Sequence, residues 1–214
     1  CKDIKPIKIA VFPGANHFTK RYPVLSWIQL INSNPQYCFT LFGSTMDKDI
    51  CDNIRKHCPG NCINKCSIMS LSELYRELST FQVIISGDTG PMHLAATLNK
   101  PQISIFGGTH PRLGFRPLND KAIVLCADLP CQPCSLHGRV KCPEGHFNCM
   151  NSINPALLSS AIKKALSSWS LVIYNIKPML INKWFRSEIE SKKAVALCAT
   201  TFLSIDHKIV LSRC

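Results

Sequence analysis

The sequence predicts an α/β protein built on a doubly wound parallel sheet, and three observations support this class. Short apolar runs alternate along the chain with amphipathic stretches of about ten residues, as in repeated β–α units. The apolar runs are continuous, which is typical of strands that helices cover on both faces. Each run ends at a loop rich in Gly and polar residues, where parallel sheets usually bind their ligands.

The first part of the chain contains three predicted helices between its strands. Pro23 stands at the start of the first helix, where its missing N–H costs nothing. Ser70 and Glu73 form a capping-box pattern that starts the third helix. The predicted strands cover 7–12, 37–42 and a short stretch within 59–67, and the predicted helices cover 23–32, 47–57 and 70–79.

The second part of the chain continues the alternation of strands and helices as far as the Cys-rich region, where the alternation ends. Strands are predicted over 83–86, 102–106 and 122–125, and helices over 91–98 and 155–169. Residues 126–150 form a loop region rich in Cys, Pro, His and Gly, without clear periodicity. We therefore expect one domain over 1–168, followed by an extension over 169–214 whose structure the pattern does not assign.

The charge is strongly positive but evenly spread. Lys and Arg number 25 against 13 Asp and Glu, and each of the segments 1–100, 101–167 and 168–214 has an excess of four. A nucleic-acid-binding protein usually clusters its positive charge, so this distribution argues against that class. It fits a protein that handles anionic small molecules or works beside an anionic membrane face, and it also fits solubility alone.

The beginning of the chain and its cysteines indicate the compartment. Residue 1 is Cys and no apolar signal core follows it, so we expect the chain to be the rear part of a longer protein. Its 13 cysteines are an odd number in a chain too long to need a disulfide framework. We therefore expect reduced thiols and a cytoplasmic protein.

The strongest candidate site lies where the strand over 83–86 meets the next helix. Gly90 lets the backbone approach a ligand closely, and the helix start offers unpaired N–H groups to an anion. The Thr89 hydroxyl can add a hydrogen bond, and His93 lies about one turn into the helix. Asp88 would repel a phosphate, so we expect it to orient other groups or to bind a sugar hydroxyl. The alternative is a capped buried helix without a ligand.

Two further loops open at the same edge of the predicted sheet. Lys20 and Arg21 can neutralise a diphosphate, although a solvated pair at a helix start would look the same. Asp47 follows the second strand, where an acidic residue can bind ribose hydroxyls. Asp47 could equally cap the helix that follows it.

Taken in order, these segments resemble glycosyltransferase family 9, the heptosyltransferases of lipopolysaccharide core assembly. The resemblance runs from residue 7 to about residue 168 and rests on PGAN, TKRYP, LFGSTMD, SLSELYREL, SGDTGPMHLAATLNKP, SIFGGTHP and CQPC with KCPEGHFNCMNSINP. It implies one Rossmann-like half of a GT-B glycosyltransferase, the half that binds a nucleotide-sugar donor such as ADP-heptose. The residues it assigns to donor binding are Asn16, Lys20, Asp47, Asp88, Thr89, Gly90 and His93.

The same resemblance implies a partner domain and an acceptor. The family's catalytic base is an Asp in the N-terminal, acceptor-binding domain, so we expect no catalytic base in this chain and no turnover by the chain alone. The acceptor would be the lipopolysaccharide inner core at the inner face of the inner membrane. No cofactor and no metal are expected, because Lys20 and backbone N–H groups would hold the diphosphate.

Three alternatives remain open at this point. A family 9 enzyme could use another sugar or acceptor, and a gene remnant would have no activity. A second class of protein would be a non-catalytic binding module stabilised by a metal. Four thiols in the Cys-rich loop could serve as metal ligands, as free packed thiols or as disulfide partners: Cys131, Cys134, Cys142 and Cys149.

Overall fold

The structure is a computed structural model that describes residues 6–67, 69–119 and 121–175 of the chain. The chain divides into two compact units, Cys1–Trp169 and Ser170–Cys214. The predicted extension over 169–214 lies outside the described residues from residue 176 onward.

The first unit contains a six-stranded sheet in which every neighbouring pair of strands is parallel. Its strands are β1 (Ile7–Phe12), β2 (Tyr37–Leu41), β3 (Cys62–Asn64), β4 (Val83–Gly87), β5 (Gln102–Phe106) and β6 (Ala122–Cys126). Their order across the sheet is β3-β2-β1-β4-β5-β6. This order confirms the doubly wound, Rossmann-like class, and it reverses direction between β1 and β4. A crevice at that reversal is where such sheets bind ligands.

In the part of the chain that the structure describes, six α-helices connect or follow the strands. They are α1 (Val24–Asn32), α2 (Lys48–His57), α3 (Leu71–Leu78), α4 (Gly90–Thr97), α5 (Asn148–Asn151) and α6 (Pro155–Asn175). The capping box predicted for α3 is present, with Ser70 and Glu73 bonded reciprocally. No helix in the described residues is both long enough and apolar enough to cross a bilayer.

Helices pack on both faces of the sheet, as the continuous apolar strands require. On one face Ile9 and Val11 of β1 join a core formed with side chains from α1, α2, α5 and α6. On the other face the rings of Phe12 and Phe42 stack with centroids 5.5 Å apart, and Phe81 meets Phe42 at 5.6 Å. Successive β1 residues face opposite ways, so this strand supplies both cores.

Apart from shifts of one residue at element ends, the structure differs from the predicted elements in three respects. α6 continues past residue 169 to Asn175, since the residues after Trp169 include no Gly or Pro before Pro178. The Cys-rich loop contains α5, which is too short to show periodicity. Short 3-10 turns that were not predicted lie at Phe18–Lys20, Thr45–Asp47 and Pro111–Leu113.

Candidate functional site

The loops after β1 and β4 meet directly at the reversal of strand order. The 3-10 turn that carries Lys20 lies against the end of β4, and a Cβ atom added to Gly87 would lie 3.1 Å from the carbonyl oxygen of Lys20. Any larger side chain at position 87 would therefore force the two loops apart. The missing side chain of Gly87 allows the close approach that brings Lys20 to the segment 87–90.

At the centre of this crevice Lys20 forms an ion pair with Asp88. Its Nζ lies 3.0 Å from Asp88 Oδ2, and the two side chains are only 16% and 7% exposed. The buried hydroxyl of Thr109, which follows β5, donates a hydrogen bond of 2.8 Å to the same carboxylate oxygen. A paired and hydrogen-bonded carboxylate of this kind holds the ammonium in one place.

The start of α4 lies beside this ion pair. Thr89 is the N-cap residue in an extended conformation, and its side chain makes no capping hydrogen bond. Its hydroxyl reaches the Gly87 carbonyl only at 3.5 Å, which is a weak contact. The Thr89 hydroxyl and the N–H of Gly90 can thus donate to an anion, at the end of the helix where the dipole favours negative charge.

His93 lies on the first turn of α4. Partial desolvation lowers the pKa of His93, the nearby Asp88 opposes this change, and Lys20 adds to it. The imidazole is therefore favoured in its neutral form near pH 7. A neutral imidazole can donate one hydrogen bond to a phosphate oxygen without adding a full charge.

The turn that carries Lys20 is held by Thr19, a buried residue that sequence reasoning did not select. The Thr19 N–H donates to the Arg139 carbonyl at 3.1 Å, and the Arg139 N–H donates to Thr19 Oγ1 at 2.8 Å. The Gly108 N–H donates to the Thr19 carbonyl at 2.7 Å. Residues from the loop after β5 and from the Cys-rich loop thus fix the position of Lys20.

Asp47 lies at the neighbouring strand end and serves as a capping residue. Its Oδ2 accepts hydrogen bonds from the Ser44 N–H at 2.9 Å and from the Ser44 hydroxyl at 2.8 Å. A Cβ atom added to Gly14 would overlap the Asp47 carboxylate. The carboxylate therefore packs against the loop after β1, on the same edge as Lys20, and capping does not exclude contact with a ligand. Asn16 lies exposed in that same loop.

The structure thus brings most of the candidate residues to one edge of the sheet. Lys20 and Asp88 are in contact, and Thr89, Gly90 and His93 follow on α4. Asp47 and Asn16 lie at the β2 and β1 side of the same edge. The sequence does not identify Thr19 or Thr109 as site residues. Its only indication for the loop after β5 is the FGGT segment, which contains Thr109.

The Cys-rich loop gives no geometric support to a metal centre. All ten cysteines in the described part of the chain are free thiols, including Cys131, Cys134, Cys142 and Cys149. Burial raises the pKa of Cys149 to about 11. Within the described ranges no three His, Cys, Asp or Glu side chains are grouped so that they could hold a metal ion.

Comparisons with known proteins agree on one family. The model of glycosyltransferase family 9 (heptosyltransferase) matches residues 3–143. Lipooligosaccharide heptosyltransferase 2 of Haemophilus influenzae strain Rd is 31% identical over 128 residues, which cover 56% of this chain and 36% of that protein. The Campylobacter jejuni serotype O:2 protein of the same name is 25% identical over 162 residues, which cover 73% of this chain and 50% of that protein. The chain therefore spans half or less of the length of these relatives.

Solved structures show the same fold. The Escherichia coli ADP-heptose lps heptosyltransferase II superposes with a TM-score of 0.64 at 22% identity, over 78% of this chain and 48% of the other. A family 9 glycosyl transferase from Veillonella parvula superposes with a TM-score of 0.65 at 20% identity, over 76% of this chain and 46% of its own. At this identity the likeness establishes the fold.

Proposed function

The chain belongs to glycosyltransferase family 9 (heptosyltransferase), and we propose that it is the half of a heptosyltransferase that binds the nucleotide-sugar donor, ADP-heptose. The observation that carries this proposal is the ion pair between Lys20 and Asp88 at the start of α4. It places a fixed cation beside a helix N-terminus, in the crevice where the strand order reverses. A fixed cation and a helix N-terminus in such a crevice are the two features that a diphosphate site requires.

In the proposed mechanism these groups stabilise the leaving diphosphate. Negative charge builds on its oxygens as the glycosidic bond breaks. Asp88 holds the Lys20 ammonium, and the Thr89 hydroxyl and the Gly90 N–H lie at the start of α4, so these groups would need no large rearrangement when that charge develops. Groups held in this way supply a large part of transition-state stabilisation.

Other residues would bind the remaining parts of the donor. Asp47 would accept hydrogen bonds from the ribose hydroxyls through the oxygen that Ser44 does not occupy. Asn16, exposed in the loop after β1, would donate to a phosphate oxygen. His93 would donate from its neutral imidazole.

The acceptor would be the lipopolysaccharide inner core at the cytoplasmic face of the inner membrane. An Asp in an acceptor-binding half outside these 214 residues would deprotonate the acceptor hydroxyl. This chain alone would then bind the donor but would transfer no sugar.

Calorimetric titration with ADP tests the proposal. We expect measurable binding to the chain, and we expect Lys20→Ala to weaken it roughly ten- to a hundredfold through the loss of a charge-assisted hydrogen bond. Lys65→Ala is the matched control, because Lys65 also forms an ion pair but does so with Glu77 of α3. The proposal fails if a folded chain has no affinity for ADP, or if the two variants bind it equally.

A further inference from the structure

Residues 134–139 of the Cys-rich loop form a strap beside the crevice at the reversal of strand order, which we call the donor crevice. At the first residue of the strap, the Cys134 N–H donates to the Gly108 carbonyl at 3.0 Å. At its last residue, the N–H and the carbonyl of Arg139 both bond to Thr19. The strap is thus attached at both ends to segments that border the donor crevice.

The strap is also closed on itself. The Arg139 Nε donates to the Cys134 carbonyl at 3.0 Å and so joins the two ends. Inside the strap, the Gly138 N–H donates to the Ser135 hydroxyl at 2.7 Å. These bonds give a defined shape to six residues that belong to no helix or strand. A segment fixed in this way can hold a neighbouring side chain in place.

Gly138 is the point at which the strap meets Lys20. Its φ is +105°, in the left-handed region that residues other than glycine rarely adopt. A Cβ atom added there would lie 3.1 Å from Cδ of Lys20 and 2.7 Å from Cβ of His17. The backbone of Gly138 therefore packs directly on the aliphatic part of the Lys20 side chain. A larger residue at position 138 has no space unless Lys20 or His17 moves.

Lys20 is consequently held at three points. Gly87 lies against its carbonyl oxygen, Gly138 lies against its methylene chain, and Asp88 lies 3.0 Å from its ammonium. Holding a lysine side chain in one rotamer costs conformational entropy. Because this loss occurs when the chain folds, a ligand that binds to the Lys20 ammonium does not add to it.

We propose that the strap is a positioning element for the donor diphosphate, and that Gly138 is the positioning residue through which it acts on Lys20. The proposal rests on the proposed function for the nature of the ligand. It assigns to the Cys-rich loop a role that requires no metal. A loop that only supported the fold would leave the grip of Lys20 on the phosphates unchanged.

The position of Lys20 can be tested without a donor. Acetylation by acetic anhydride, located by peptide mass spectrometry, compares the accessibility of the lysine amines in the 214-residue chain. The side chain of Lys20 is 16% exposed, and it should react slowly relative to that of Lys48, which is 63% exposed. Gly138→Ala should raise the ratio of Lys20 to Lys48 labelling severalfold, because the added methyl group displaces the Lys20 side chain.

The matched control is Gly145→Ala in the same loop. Gly145 also has a positive φ, +72°, but a Cβ atom added there would meet no described residue within 4 Å apart from its chain neighbours. This variant therefore introduces backbone strain of the same kind without touching Lys20, and its labelling ratio should equal that of the unmodified chain. Equal ratios in the Gly138 and Gly145 variants would overturn the proposal.

Calorimetric titration shows whether the strap affects the ligand. Gly138→Ala should weaken ADP binding about tenfold by misplacing a charge-assisted hydrogen bond. The affinity for adenosine, which has no phosphates, should not change. In a chain that already carries Lys20→Ala, Gly138→Ala should have no further effect on ADP binding, because it acts through Lys20. An equal loss in both backgrounds would overturn the proposal, since the strap would then support the site as a whole.

Ser135→Ala is a milder variant that serves if Gly138→Ala does not fold. It removes the hydroxyl that accepts the Gly138 N–H and adds no atom. Labelling of Lys20 should rise in this variant too, and unchanged labelling would contradict the proposal. Absence of ADP binding by the unmodified chain would defeat the proposed function, while the labelling still decides whether the strap positions Lys20. ADP binding with unchanged labelling in the variants would defeat the strap alone.

Discussion

The donor crevice and the segments 112–118 and 136–141, together called the outer segments, hold their charges in opposite ways. In the crevice Lys20 is almost buried and is paired with Asp88, which Thr109 also contacts. The outer segments contain four Lys or Arg residues and no Asp or Glu, and their large apolar side chains Phe115, Leu118, Leu136 and Val140 are exposed. The crevice is thus organised before any ligand arrives, whereas the outer segments have no acidic partner within them.

This contrast predicts that the crevice contributes to folding stability and that the exposed side chains of the outer segments do not. The largest effect is expected for Asp88→Ala, which leaves the largely buried Lys20 ammonium without its counter-charge. We expect a loss of about 3 kcal/mol in the free energy of unfolding, measured by urea denaturation under reducing conditions. Asp52→Ala is the control, because it breaks only exposed contacts, the pair with Lys48 and a hydrogen bond from Asn64, and it should cost less than about 1 kcal/mol. Equal midpoints for the two variants would contradict the contrast.

A smaller effect is expected for Thr109→Val, which keeps the side-chain shape and removes one buried hydrogen bond to Asp88. The loss should be about 1–2 kcal/mol, because the carboxylate oxygen keeps its ion pair but loses its hydroxyl donor. ADP affinity should fall as well, since Lys20 is held less firmly. Thr80→Val is the control: it removes an exposed hydrogen bond from the Thr80 hydroxyl to the Glu77 carbonyl, and it should change neither the free energy of unfolding nor the ADP affinity. A destabilised chain that retained full ADP affinity would show that Thr109 does not position Lys20.

The smallest effect is expected in the outer segments. Leu118→Ser with Val140→Ser should change the free energy of unfolding by less than about 0.5 kcal/mol, because neither side chain is packed in the folded chain. Thermal unfolding of the lipid-free chain measures this. A clear loss of stability would mean that these side chains pack against the folded chain.

Much of the fold could be predicted from local pattern. The limits of β1 and β5 match the apolar runs at 7–12 and 102–106 residue for residue, and β3 lies within the ambiguous stretch 59–67. These strands are short, continuous and closed by Gly or polar loops, so the signal is contained in the segment itself. Periodicity cannot detect elements as short as α5 or the turn Phe18–Lys20, because each has less than about one and a half helical turns.

The sequence predicts the position of the site only through the positions of the strand ends. Parallel strands place Lys20, Asp47 and Asp88 at one edge, but the direct contact between Lys20 and Asp88 depends on β1 lying beside β4. The bonds of Thr19 to Arg139 and of Thr109 to Asp88 join residues 120 and 21 positions apart. No local pattern encodes such pairs. For the same reason, the spacing of four cysteines left their arrangement open.

The contact between Gly14 and Asp47 has a consequence for how the chain can vary. The carboxylate occupies the space that a side chain at position 14 would need, so any substitution there must displace Asp47 and disturb the turn it caps. Shortening residue 47 to Ala would remove the carboxylate but leave its Cβ 2.8 Å from a Cβ at position 14, so only glycine at position 47 would clear the space. The two positions therefore form an epistatic pair: whether a change at position 14 is tolerated depends on which residue stands at position 47.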